Sequence, residues 1–253
     1  MDDIIKLMEK AKGRISQRLR KKISEILALC EPYRNLGAEF LFSAVPALSA
    51  SVDEALLAFS DTILDDIKAQ LETAIEEADA EEDRDAIFAY TLGTIAGEDA
   101  TTRVDKYSSH LKFILEGWVA IAFYNDISLS TMLSTIFVYM DHPFTSPLWQ
   151  EAFRSGLYAS PIIRMGGAKY GKGTPESILK GLTLTNQTMV NQAYQYGRIL
   201  RYRHDGAIGY RVYRNSTYDC PVCDELCIGI HPLDEIVLPA HPRCVCYTKP
   251  VYE

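Results

Sequence analysis

The sequence predicts a mainly α protein that ends in a small α+β C-terminal subdomain. Three observations carry that expectation. Apolar residues recur every three to four positions through most of the first 140 residues. One segment near residue 210 instead alternates apolar and basic residues at period two. Five of the six cysteines crowd between Cys220 and Cys246.

The first helix is read from Ile4, Leu7, Met8 and Ala11, continued by Ile15, Leu19, Ile23, Ile26 and Leu27, and it is stopped by Pro32. Cys30, near its end, reads as a small buried hydrophobe. Pro46 interrupts the apolar stretch that follows. Ser51 with Glu54 three residues on forms a capping-box pattern, so a second helix is expected to open at Ser51. It carries Leu56, Leu57, Phe59, Ile63, Leu64, Ile67, Leu71 and Ile75. Further helices are expected over residues 85–96, 106–123 and 128–140.

After His142 the texture changes. Prolines and then glycines become frequent, which sets residues 1–142 apart as a helical domain and 143–182 as a Pro/Gly-rich connector with a mobile loop. The glycine-rich run does not meet the phosphate-loop pattern, because Lys172 is followed by Gly173 rather than Ser or Thr. A short helix with Pro175 in its first turn and then a longer one lead to the strand 209–216. Residues 183–253 form the third segment.

Composition bounds the function. Hydrophobic residues at 47% and charged residues at 24% are ordinary for a globular chain. The most apolar stretch, 118–140, is broken by Asn125 and Asp126, so no membrane role is expected. The charged start lacks a signal-peptide core, which points to a cytoplasm, where clustered thiols stay reduced. The net charge of −8 is uneven: residues 1–110 hold 13 basic against 22 acidic side chains, whereas 150–220 hold 10 against 4. In that basic segment Arg198, Arg201, Arg203, Arg211 and Arg214 interleave with tyrosines, a pattern suited to phosphate contact and base stacking. The competing reading is a solvated face whose tyrosines pack inward.

The cysteine block spells C-x2-C-x17-H-x2-C-x-C. A C-x-x-C pair supplies two thiolates from one turn, and zinc takes four ligands, usually sulfur and imidazole nitrogen. Cys220 and Cys223 are one pair; His241 with Cys244 or Cys246 supplies the rest. Cys227 and His231 are second choices, because the loop that follows Cys227 reads as apolar packing. The subdomain is therefore expected to be zinc-stapled, with the zinc structural. No H-E-x-x-H is present, and no H-x-E precedes the C-x-x-C, so no catalytic residue is assigned.

The order strand, aspartate, C-x-x-C and terminal H-P-x-C-x-C resembles the C-terminal domain of the phage Mu protein F-like family of minor head and head-morphogenesis proteins. The matching elements are Tyr210–Arg214, Asp219, Cys220 with Cys223, and His241, Pro242, Cys244 and Cys246. Val245 departs from the arginine common in the family, tyrosine replaces its strand tryptophan, and Leu184-Thr185-Asn186 replaces its Arg-Thr-Glu. The resemblance covers roughly residues 183–250. It implies a non-enzymatic protein of the capsid interior near the portal, assembled in the host cytoplasm. Its implied partners are portal, major capsid or scaffolding proteins, and DNA is a further candidate. The alternatives are a zinc hydrolase or toxin, with Glu225, Asp234 and Glu235 as its acids, and a DNA-binding module.

Overall fold

The computed structural model describes residues 2–93, 98–140, 142–156, 177–215, 217 and 219–253. It is mostly helical, 73% helix against 5% strand, with one small two-stranded sheet near the C-terminus, which is the expected mainly α class with a small α+β part. The described helices are α1 (Asp2–Cys30), α2 (Pro46–Ala78), α3 (Arg84–Leu92), α4 (Ala100–Tyr124), α5 (Leu129–Val138), α6 (Pro147–Arg154), α7 (Ile178–His204) and α8 (Pro221–Leu226). The strands are β1 (Gly209–Tyr213) and β2 (Tyr247–Val251). None of the described helices is long and apolar enough to cross a membrane.

The chain forms two compact units, one from residues 1–13, 64–101 and 183–253 and the other from 14–63 and 102–182. Both are discontinuous in sequence, with breaks inside α1, α2, α4 and α7.

In the second unit the apolar stripe of α1 is buried as its periodicity requires, with Ile15, Leu19, Ile23 and Ile26 fully inaccessible. Cys30 is buried too. Trp118 of α4 meets Trp149 of α6 edge to face at 5.1 Å. Gly117 permits that approach, since a Cβ there would lie 2.5 Å from the Trp149 ring. The buried Glu116 carboxylate accepts the Phe42 amide at 2.9 Å, satisfying a backbone donor where the chain enters α2. Ser128 caps α5 by accepting the Thr131 amide at 3.2 Å.

Two expectations are corrected. The second helix opens at Pro46 rather than at Ser51, whose hydroxyl donates back to the Ala47 carbonyl at 3.1 Å within the helix. Proline at a helix start has no amide to waste, and that signal outranks the capping box. The two helices expected before the strand are one, because nothing after Ser177 breaks the pattern. Ser177 accepts the Lys180 amide at 3.2 Å and α7 then runs unbroken to His204. The glycine-rich loop and Pro175 lie outside the described residues.

In the first unit α7 packs closely on the end of α2 and on α3. A Cβ at Gly197 would sit 2.9 Å from that of Ala78 and 3.4 Å from Ile87. β1 pairs antiparallel with β2, from Gly209 opposite Val251 to Tyr213 opposite Tyr247. β1 is shorter than the expected 209–216. β2 was not expected, because Pro250 within it lacks a ladder donor and disguises the strand.

Candidate metal centre

The first donor turn is the start of α8. Cys220 is extended at the N-cap, Pro221 occupies the first turn, and Cys223 lies one turn in, so both sulfurs emerge on one side. The Cys220 carbonyl accepts the Asp224 amide at 2.9 Å, which fixes that turn. Arg214, at the end of β1, braces it by bonding the Asp224 carboxylate and donating to the Cys220 carbonyl at 3.4 Å.

The second turn is His241–Cys244. The Cys244 amide donates to the His241 carbonyl at 3.0 Å, and Arg243 takes a left-handed φ of 63° to close it. His241 Nδ1 faces the Pro242 carbonyl at 2.9 Å. As the N–H donor there, Nδ1 leaves the Nε2 lone pair toward the thiols, the tautomer a metal requires.

The donors converge. Nε2 of His241 lies 3.3 Å from Cys220 Sγ and 3.1 Å from Cys223 Sγ, and Cys223 Sγ lies 4.0 Å from Cys244 Sγ. A tetrahedral zinc with ordinary bond lengths sets its ligand atoms roughly 3.5–3.8 Å apart, so these separations suit one ion. Two triads, Cys220–Cys223–His241 and Cys223–Cys244–Cys246, each lie within 4.8 Å and share Cys223. The five residues singled out in the sequence are thus brought together, and the cluster can hold a metal.

Electrostatics fits that role. The Cys223 amide donating to Cys220 sulfur holds the Cys220 thiol below its ordinary range, helped by Arg214. Burial pushes the Cys223 and Cys246 thiols up, and the Cys244 sulfur beside each adds to it. A divalent cation reverses that penalty by stabilising several thiolates at once.

The second-choice ligands belong to neither triad. His231 Nε2 lies 2.7 Å from the Leu226 carbonyl and its ring stacks on Tyr210, while Cys227 packs against the subdomain core. The loop expected to pack as a whole does so only in part: Leu233, Ile236 and Val237 lean on the core, whereas Ile228 and Ile230 are 76% and 48% exposed. Glu225, Asp234 and Glu235 are exposed and belong to neither triad.

The five arginines are dispersed. Arg201 pairs with Asp79 and Asp205, and Arg214 with Asp224. Arg198 lies over the Tyr202 ring and donates to its hydroxyl at 3.2 Å; Arg203 donates to the Leu233 carbonyl at 2.8 Å. Arg211 is exposed on β1. Tyr202 and Tyr210 are buried, so their rings serve the core.

Two residues of α7 went unread in the sequence. Asn191 and Gln195, 3% and 2% exposed, hydrogen-bond the backbone carbonyls of Cys244 and Cys246. The available signal was two amides one turn apart between Val190, Ala193 and Ile199 on an apolar face. No protein-family model, curated protein or solved structure matches this chain.

Proposed function

We propose that this chain is a structural protein of a tailed-phage head, a minor capsid or head-morphogenesis protein acting near the portal, whose C-terminal subdomain is stapled by zinc. The observation that carries this reading is the gathering of Cys220, Cys223, His241, Cys244 and Cys246 into two donor triads that share Cys223. They stand in the strand, C-x-x-C, H-P-x-C-x-C order of the phage Mu protein F-like family. The donor set of thiolates and one imidazole selects zinc over hard cations. A staple rather than a catalyst is supported by the surplus of donors over four places and by the acids' position outside both triads. The zinc would hold the two turns, and with them the β1–β2 hairpin, in one arrangement. The exposed Val222, Ile228 and Ile230 on the same subdomain offer an apolar surface to a portal, capsid or scaffolding partner.

The test has two parts. Freshly purified protein should carry one zinc per chain by metal analysis, and mass spectrometry of purified virions should find the chain together with the portal. Protein without metal would overturn the staple, and virions without the chain would overturn the head assignment.

A further inference from the structure

Along the segment that enters and forms β2, the carbonyls of Cys244, Cys246 and Thr248 each accept a hydrogen bond from a side chain of α7. Asn191 Nδ2 donates to Cys244 at 2.7 Å, Gln195 Nε2 to Cys246 at 3.2 Å, and the Tyr202 hydroxyl to Thr248 at 2.9 Å. Carbonyls two residues apart in extended chain point the same way, so α7 occupies the strand edge that β1 does not. The amides are themselves linked, Gln195 Nε2 donating to Asn191 Oδ1 at 3.2 Å. Both are buried, and burying an amide is unfavourable without a specific partner. The same period of two places the side chains of Cys244, Cys246 and Thr248 on one face, and all three are buried.

We infer that Asn191 and Gln195 are positioning residues of the metal centre: by gripping the carbonyls of Cys244 and Cys246, they hold those two thiols toward Cys223. The inference rests on the metal reading above. Outer contacts of this kind typically set metal affinity by 10–100-fold. Tyr202 supplies the control, because it grips the same edge two residues on, at a residue that is no ligand.

The experiment measures zinc affinity by chelator competition, and the visible bands of bound Co²⁺, in the full chain and its Asn191→Ala, Gln195→Met and Tyr202→Phe variants. Gln195→Met keeps the side-chain volume and removes both donated bonds, so it decides the matter if Asn191→Ala does not fold. The expected result is a 10–100-fold loss of affinity and altered Co²⁺ bands in the amide variants. Tyr202→Phe should lower unfolding stability while staying within about threefold of the parent affinity. Equal affinity in parent and amide variants, or equal losses in all three, would overturn the positioning role while leaving the metal site intact. A parent chain that binds no zinc would overturn the metal reading itself.

Discussion

Thiols in this chain differ by what surrounds them. Cys30 is fully inaccessible, and burial with Glu31 beside it pushes its thiol up to about 12. Tyr210, in the other unit, is likewise pushed up to about 12 by burial. Both groups are neutral when protonated, and their folded values lie above the ordinary 9.0 and 10.0. Their contribution is therefore complete below the ordinary value and is lost as pH rises toward 12, at about 1.4 kcal/mol per pH unit per group. Urea midpoints taken from neutral to strongly alkaline pH should fall less steeply in Cys30→Ala than in the parent. Matching slopes would mean the thiol does not stay protonated in the fold. Cys223 behaves differently because it belongs to both donor triads, whereas Cys227 belongs to neither. Cys223→Ala should abolish zinc uptake and forfeit folding energy on the order of 10 kcal/mol in the subdomain. Cys227→Ala should retain one zinc per chain by native mass spectrometry, and loss of zinc there would reassign the ligands.

At the scale of the element, two glycines in helices should respond in opposite directions. Gly13 of α1 is exposed and a Cβ there would meet nothing within 4 Å, so Gly13→Ala should stabilise by about 1 kcal/mol through helix propensity. A Cβ at Gly197 of α7 would lie 2.9 and 3.1 Å from those of Ala78 and Ala80, so Gly197→Val should cost about 1–3 kcal/mol by overpacking. Denaturant unfolding of both variants checks the pair, and a neutral Gly197→Val would deny the close approach of α7. Helices were legible where one face stayed apolar, as along α1, and β1 was legible from its alternation. Helix starts were less so, since Ser51 and Pro46 offered rival signals and the structure uses the proline. β2 was hidden by Pro250. The gathering of the five candidate ligands was legible because their spacing is short. The hydrogen bonds of Asn191 and Gln195 were not, because the carbonyls they meet lie about fifty residues along the chain.

For the molecule as a whole, charge and cooperativity make the remaining predictions. Among the five arginines, Arg201 and Arg214 are ion-paired and Arg198 and Arg203 bond to Tyr202 and the Leu233 carbonyl, which leaves Arg211 exposed on β1. With a net charge of −8 around them, duplex DNA binding should be weak. Its logarithmic salt slope should match no more than about two phosphate contacts. A slope several times steeper, measured by titration at a series of salt concentrations, would show that these pairs open to the phosphates. Metal removal probes how the fold is divided. The subdomain core comprises Ile199, Tyr202, Ala207, Tyr210, Val212, Cys223, Leu238, Cys244 and Cys246, so a third of its buried residues are donors to the site. If zinc staples the subdomain as proposed, its removal leaves those thiols without their cross-link, and a cluster this small has little burial in reserve. The other unit has its own core around Phe40, Phe59, Trp118 and Trp149, and none of the five candidate ligands belongs to that unit. A chelator should therefore strip hydrogen-exchange protection from the β1–β2 hairpin and α8 while most far-UV helix signal remains. Readdition of zinc should restore it. If chelation instead melts all helices in one transition, the ion stabilises far more than the hairpin; if protection is unchanged, burial alone suffices and the donors are no staple.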